Sequence, residues 1–148
     1  MATVSMKTWN SAIETTLSAA PALASSQDFD EISDAIADLP LLQVLIQNWY
    51  QSRDSETAQA TFSGVRRHFE ATFYADFYVA PVSAAAQVSA TFMDLIEDVN
   101  NILDAQVPFT YFGDSTIKSF EWMAERVVIV YANYSYDVAR YTITVRTF

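Results

Sequence analysis

Few residues in this sequence have side chains that could do acid–base or nucleophilic chemistry near neutral pH. His68 is the one histidine, and it lies two residues from Arg66 and two from Glu70. A glutamate beside a histidine can act as a general base with an orienting carboxylate. However, the chain has no cysteine, and neither Gly64 nor Gly113 lies in the Gly-x-Ser-x-Gly turn that presents a nucleophilic serine. We therefore interpret His68 as a solvated or interface residue and expect no catalytic site, so the chain is not predicted to be an enzyme.

Two groups of acidic residues have ligand types that cations prefer. The first group lies early in the chain and the second along a predicted helix: Asp28, Asp30, Glu31 and Asp34, and then Asp94, Glu97 and Asp98. A calcium loop needs a glycine in its bend and a distal bidentate glutamate, and the first group has neither. Acidic residues spaced along one helix are typical of its solvated face. Because the sequence also lacks a glycine-rich phosphate-binding motif, we expect neither a metal nor a cofactor.

The charge balance of the chain is strongly acidic. Eighteen acidic residues against eight basic ones give its 148 residues a formal net charge of −10. Proteins that bind phosphates cluster lysine and arginine, and here only Arg66 and Arg67 are adjacent, so the composition argues against nucleic-acid binding.

No apolar run reaches the roughly 20 residues that a membrane-spanning helix needs. The N-terminus does not have the pattern of a signal peptide, and we expect a soluble protein without membrane contact.

Hydrophobic periodicity predicts a single α+β domain over residues 1–148, with an N-terminal helical segment over 1–38 and a sheet with one long helix over 39–148. In chain order, the predicted elements are a helix over 9–17, a short helix opening at 28–31, a strand over 41–50, a loop over 51–64, a strand over 65–79, a helix over 83–104, a strand over 116–125, an apolar run over 127–131, a turn over 132–136 and a strand over 140–148. This order predicts an antiparallel sheet of about four strands, packed against the long helix and the N-terminal helices.

The strand predicted over 65–79 alternates between two faces. Its odd-numbered residues, such as Phe73 and Phe77, are mostly apolar and predict a core-facing side, whereas its even-numbered residues predict a side in water. Tyr74 and Tyr78 lie on this second side. Exposed aromatic residues are typical of protein interfaces, but the N-terminal helix could equally cover this side of the sheet. The sequence leaves both interpretations open.

Much of the chain resembles a known family. The segments that carry the resemblance are hydrophobic patterns over residues 39–44, 95–106, 112–122, 125–131 and 136–148. Through them, residues 38–148 resemble the small neck and tail-terminator proteins of long-tailed bacteriophages. The resemblance implies an α+β subunit of a hexameric ring, which caps the tail tube, joins it to the head-completion proteins of the connector and lets DNA pass without specific binding. It also implies a structural role in the virion after assembly in the host cytoplasm, and no catalysis.

Rings of this kind use head-to-tail contacts between two different patches of the subunit. The second side of the long strand and the acidic face of the long helix have partly complementary charges, which favours a defined register. The predicted interface residues are Arg66, Arg67, His68, Glu70, Tyr74, Tyr78, Asp94, Glu97 and Asp98. Three residues near the start of the predicted loop could instead face the lumen or a neighbouring subunit: Arg53, Asp54 and Glu56. A negatively charged lumen would repel DNA and so let it slide.

Two other function classes stay open from the sequence. A stand-alone acidic binding or inhibitor module for a basic partner would carry the same net charge, and it would be monomeric. A helical coat subunit of a rod-shaped virus is suggested by residues 57–60 and by the Arg66-Arg67 pair, since such subunits face RNA with arginines. The alternating strand up to residue 79 argues against the four-helix plan of those coat subunits.

Overall fold

A computed structural model of the chain describes residues 5–21, 25–27, 40–53, 67–82, 89–131 and 134–147. In chain order, its elements are α1 (Met6–Leu17), β1 (Ser25–Gln27), β2 (Leu41–Arg53), β3 (Arg67–Pro81), α2 (Ser89–Asp104), a 3₁₀ turn (Tyr111–Gly113), β4 (Ser119–Tyr131) and β5 (Tyr134–Arg146). The strands form one sheet in the spatial order β1-β2-β3-β5-β4. β1 runs parallel to β2, and the other neighbouring strands are antiparallel. The predicted α+β class, with four long antiparallel strands, is thereby confirmed.

The N-terminal region differs from the prediction in one described element. Residues 25–27 form the short strand β1 beside residues 41–43 of β2, whereas the sequence predicts a helical segment over 1–38. The Ser-Ser-Gln sequence of β1 has no apolar pattern, so its extended form comes from backbone pairing with β2. The second predicted N-terminal helix, which opens at 28–31, lies outside the described residues.

The bounds of the long strands differ from the predicted ones. β4 begins at Ser119 and β5 ends at Arg146, so the strand predictions are wrong for residues 116–118 and 147. β2 continues to Arg53 and pairs with β3 up to that residue, so the predicted loop over 51–64 begins inside the strand. β4 is one continuous strand, and Tyr131 at its end pairs with Tyr134 of β5. The predicted turn over 132–136 is therefore wrong for its last three residues. Two of these three are tyrosines, which favour strands.

Helix α1 begins at a serine cap and buries one of its edges. The Ser5 hydroxyl accepts a hydrogen bond from the Thr8 amide at 3.3 Å, which satisfies one of the unpaired amides of the first turn. Trp9, Ile13 and Leu17 recur every four residues and are fully buried, as the sequence predicts. They pack in the core cluster that forms on one side of the sheet.

Helix α2 covers the same side of the sheet. Its buried residues recur at three- and four-residue intervals: Phe92, Leu95, Val99 and Leu103. They pack in one cluster with Phe73 and Phe77 of β3. We call the side on which Phe73 lies the helix-packed face and the other side the second face. Residues 83–88 of the predicted helix lie outside the described residues.

Tyr141 connects β5 to α2. Its side chain is fully buried, and its ring meets that of Phe77 edge-on, with ring centroids 5.6 Å apart. Its hydroxyl donates a hydrogen bond to Oδ1 of Asn100 at 2.8 Å. Burial raises the pKa of Tyr141 from 10.0 to about 12, so the folded protein holds this proton more tightly than the unfolded chain does.

We expect Tyr141→Phe to lower the free energy of unfolding at neutral pH by about 1 kcal/mol, because the hydrogen bond is lost and the Asn100 acceptor loses its partner. Since the folded pKa is raised, the contribution of the hydroxyl is complete below pH 10.0 and is lost as the pH rises toward about 12. Urea unfolding at about pH 7 and about pH 11 should show the difference between wild type and variant narrowing at the higher pH. Tyr50→Phe, which removes the hydroxyl of an exposed ring, is the control. If wild type and Tyr141→Phe differ in stability by the same amount at both pH values, the prediction is contradicted.

Candidate subunit interface

The even-numbered residues of β3 up to Tyr78, where the register shifts, lie on the second face, but this face is not in water along its whole length. Asp76 is 1% exposed, Tyr78 is 4% exposed and Thr72 is 8% exposed. The prediction that these positions are solvated is therefore wrong. The physical reason is that each side chain has a partner of matching chemistry on β5: an arginine, a tyrosine and a threonine, respectively.

Asp76 is a buried charge with a fully formed ion pair. Its two carboxylate oxygens accept hydrogen bonds from Arg140, from Nε at 2.8 Å and from Nη2 at 3.1 Å. The Arg140 guanidinium also lies 4.1 Å from the centre of the Tyr74 ring. Hydrogen bonding to Asp76 raises the pKa of Arg140. Tyr74, a predicted interface residue, thus already contacts a cation within its own protomer.

Tyr78 packs within the protomer instead of facing outward. Its ring meets that of Tyr136 edge-on, with centroids 5.6 Å apart, and the two rings cluster with Leu41 and Val138. The predicted exposure of Tyr78 is therefore wrong. The alternative interpretation, that the N-terminal helix covers this face, is wrong for α1, which packs on the helix-packed face.

Glu70 belongs to a charge group that spans three strands. Arg146 Nε on β5 donates to Oε2 of Glu70 at 2.7 Å, and its Nη2 donates to Oε1 of Glu121 on β4 at 2.8 Å. Hydrogen bonds to Glu121 and Glu70 raise the pKa of Arg146. All three side chains keep contact with solvent, so each pair contributes about 1 kcal/mol or less. Glu70 thus keeps the partial exposure that a role in a subunit contact requires.

The acidic residues of α2 lie on the other side of the sheet from the second face of β3. Asp94 and Glu97 are exposed and Asp98 is half-buried. None of the three takes part in an ion pair within the described part of the chain. The two predicted patches therefore do not meet within one protomer. A head-to-tail contact needs two separate patches, and their pairing between subunits stays a prediction.

Three of the remaining predicted residues, Arg53, Arg67 and His68, lie at the ends of β2 and β3. Arg67 and His68 begin β3, where they are the register partners of Arg53 and Ser52. Arg53 is thus a strand residue, and its prediction as a loop residue is wrong. Three predicted residues lie outside the described ranges: Arg66, Asp54 and Glu56.

Both outer long strands expose large apolar side chains, which the sequence analysis did not assign to an interface. Met123, Val128 and Val130 on β4 are between 62 and 71% exposed, and Trp49 on β2 is 62% exposed. Such clusters on edge strands mark interaction sites or aggregation hazards. For β4, the sequence feature that could have drawn attention to these side chains is the apolar run over 127–131. Such a run is typical of a strand buried on both faces.

The basic residue of β4, Arg126, contacts β5 and α2 while its side chain stays 55% exposed. Arg126 donates to the two carboxylate oxygens of Asp137 on β5, from Nε at 2.8 Å and from Nη2 at 2.6 Å. Its guanidinium lies 4.5 Å from the centre of the Phe92 ring on α2. Hydrogen bonding to Asp137 raises the pKa of Arg126. The Arg126 guanidinium is therefore held by partners within its own protomer, on β5 and α2.

The described residues contain no group of three histidine, aspartate or glutamate side chains that could hold a metal ion. Over the same part of the chain, neither helix is both long and apolar enough to cross a membrane. A scan against protein-family models finds no match to this sequence, and a search of the curated proteins finds no significant match. In the described part of the chain, the outer sides of β4 and of residues 44–53 in β2 pair with no other strand.

Proposed function

We propose that this chain is a structural subunit that assembles with copies of itself into a ring at the neck or tail end of a long-tailed bacteriophage. The observation that supports this most directly is that, within the described residues, no strand pairs with the outer side of β4 or with the outer side of β2 beyond the three residues that pair with β1. Two different edges on opposite sides of one subunit suit head-to-tail contacts. Such contacts close into a ring when the rotation between subunits permits it.

The exposed apolar side chains favour an assembled state over a solitary one. Trp49 on β2 and Val130 on β4 stand in water in the isolated protomer. Removing apolar surface from water is favourable by roughly 25 cal/mol per Å², and this gain offsets part of the entropic cost of association. Edge strands of monomeric proteins are commonly short or carry proline or charged residues, above all lysine. β4 is 13 residues long and contains no lysine and no proline; its charged residues are Glu121, Glu125 and Arg126.

The acidity of the chain suits a ring through which DNA passes. Each subunit brings a formal net charge of −10, and a negative lumen repels phosphates. Proteins that hold DNA do so through clustered basic residues that are free to contact it. In the described sheet, Arg126, Arg140 and Arg146 each pair with an acid. We therefore propose that DNA passes without specific binding.

The phage assignment comes from the resemblance of residues 38–148 to neck and tail-terminator proteins. In that role, the ring caps the tail tube and joins it to the head-completion proteins, the chain is part of the virion, and it performs no catalysis. The α+β fold with an antiparallel sheet is compatible with a subunit of this class.

Mass measurement and negative-stain imaging of the purified chain test this proposal. We expect a closed ring with a central opening and, for the hexamer, a mass about six times the 16.6 kDa of one chain. Open filaments would favour a helical coat subunit. A monomer that captures a basic protein would favour an acidic binding module. Either of these two results contradicts the ring.

The passage of DNA without binding has its own test. Purified rings mixed with duplex DNA at low salt should leave the electrophoretic mobility of the DNA unchanged. Low salt is the stringent condition, because phosphate contacts are strongest there. A mobility shift that disappears as salt is added would show phosphate binding and contradict the proposed lumen.

A further inference from the structure

The edge formed by β4 is long and regular. β4 pairs with β5 over all 13 of its residues without a register shift. It contains no proline and no lysine, and no strand of the described part of the chain pairs with its outer side. Its outward N–H and C=O groups are therefore available to pair with another strand.

The outer edge of β2 is open over most of its length. β1 pairs only with residues 41–43, so residues 44–53 have no strand on their outer side within the described ranges. This stretch contains no charged residue before Arg53. A register shift between Ile46 and Asn48 interrupts it. Because a bulge disrupts regular pairing, residues 48–53 are the part of this edge that suits a new strand.

We infer that neighbouring copies join by strand addition, in which β4 of one subunit pairs antiparallel with residues 48–53 of β2 in the next. This inference rests on the proposed function and specifies its subunit contact. Strand direction alternates along β2-β3-β5-β4, so β2 and β4 run in opposite directions. A second copy in the same orientation thus presents its β2 antiparallel to β4, which is the pairing already used within the sheet.

Charge favours β2 as the partner of β4 over a second β4. Two copies could also pair through their β4 strands about a two-fold axis. Over the full length of β4, this pairing is centred on residue 125 and places Glu125 opposite Glu125 of the other copy. Like charges directly opposite each other destabilise a sheet. Within the described residues, Glu125 has no ion-pair partner that would offset this repulsion. Residues 48–52 of β2 are uncharged and present no like charge to it.

Cross-linking tests this contact, since the natural chain has no cysteine. Met123 on β4 and Asn48 on β2 are both exposed, and their register partners place both on the second face. In the Met123→Cys/Asn48→Cys variant, a short bismaleimide should link copies into a ladder of covalent oligomers on a denaturing gel. Within one protomer, β3 and β5 separate these strands by about 14 Å, so a shorter linker reports contacts between copies.

Two cysteine controls make the result specific. Met123→Cys alone should give no covalent oligomer, and neither should Met93→Cys/Asn48→Cys, in which Met93 is exposed on α2. A covalent dimer from Met123→Cys alone would show that two β4 strands pair with their residues 123 close together, and it would overturn the inference. Rings seen by mass and imaging that give no ladder would overturn the inference and leave the proposed function standing. A protein that stays monomeric would overturn both.

A charge substitution tests the same edge without a cross-linker. Met123→Lys should give a monomer, because a lysine on an edge strand opposes pairing with another chain. The variant should still fold, because the ammonium group can lie between Glu121 and Glu125. Met93→Lys on α2 is the matched control and should still form the ring. Its side chain is 59% exposed, close to the 69% of Met123. Mass measurement gives the assembly state and circular dichroism the fold. Intact rings from Met123→Lys would overturn the inference.

Discussion

Asp76→Ala is expected to lower the free energy of unfolding by about 3 kcal/mol. The Asp76 side chain is 1% exposed, and its carboxylate accepts both hydrogen bonds of its ion pair from Arg140. Alanine would leave the guanidinium, whose side chain is only 25% exposed, without its counter-ion. This unpaired charge makes the loss large, because removing one partner of a buried pair costs more than the pair itself contributes. Urea unfolding followed by circular dichroism measures the change.

Two further variants separate this cause from a general loss of packing. In Asp76→Leu/Arg140→Met, both charges are replaced by apolar side chains, and we expect most of the lost stability to return. Arg146→Gln breaks the two more exposed pairs, with Glu70 and Glu121, and should cost about 2 kcal/mol or less in all. If Asp76→Ala costs no more than Arg146→Gln, the Asp76 carboxylate does not act as a buried structural charge.

The alternation along β3 predicts the strand correctly but not the surroundings of its second face. Asp76 and Tyr78 occupy positions that the pattern assigns to solvent. Their burial depends on β5, where Arg140 lies 64 residues later in the chain and directly opposite Asp76 in the register. Because one strand's pattern contains no information about its neighbour, the sequence predicts the face on which Asp76 lies and misses the ion pair that makes its burial possible.

The edges of the sheet show the same limit at the level of topology. The sequence identifies the apolar run over 127–131, and its composition is that of a strand buried on both faces. The spatial order of the strands, which depends on tertiary packing, places this run on the outermost strand. In the described structure, Val128 and Val130 of this run are therefore exposed, against the burial that its composition predicts. Ser25–Gln27 is the opposite case, a strand made by pairing alone, with no side-chain pattern to predict it.

Trp9→Ala is the second large effect that we expect, a decrease of about 3–5 kcal/mol in the free energy of unfolding. Trp9 is fully buried in α1, and its ring meets Phe69 edge-on, with centroids 5.5 Å apart. Its indole N–H donates to Oγ1 of Thr116 at 2.8 Å, and the Thr116 hydroxyl donates to Oδ1 of Asp114 at 2.6 Å. The substitution thus removes a large core side chain and the link between α1 and the turn that leads into β4.

Milder variants at the same contact divide the effect between packing and hydrogen bonding. Trp9→Phe keeps an aromatic ring without the N–H, and Thr116→Val leaves the indole N–H without its acceptor, so each should cost about 1–3 kcal/mol. The double variant should cost less than the sum of the two, because the unpaired indole donor of Thr116→Val is absent when Trp9 is also replaced. Urea unfolding of the four proteins gives this coupling directly. Strict additivity would mean that the hydrogen bond from Trp9 to Thr116 contributes nothing, and that Trp9 fixes α1 on the sheet through its apolar surface alone.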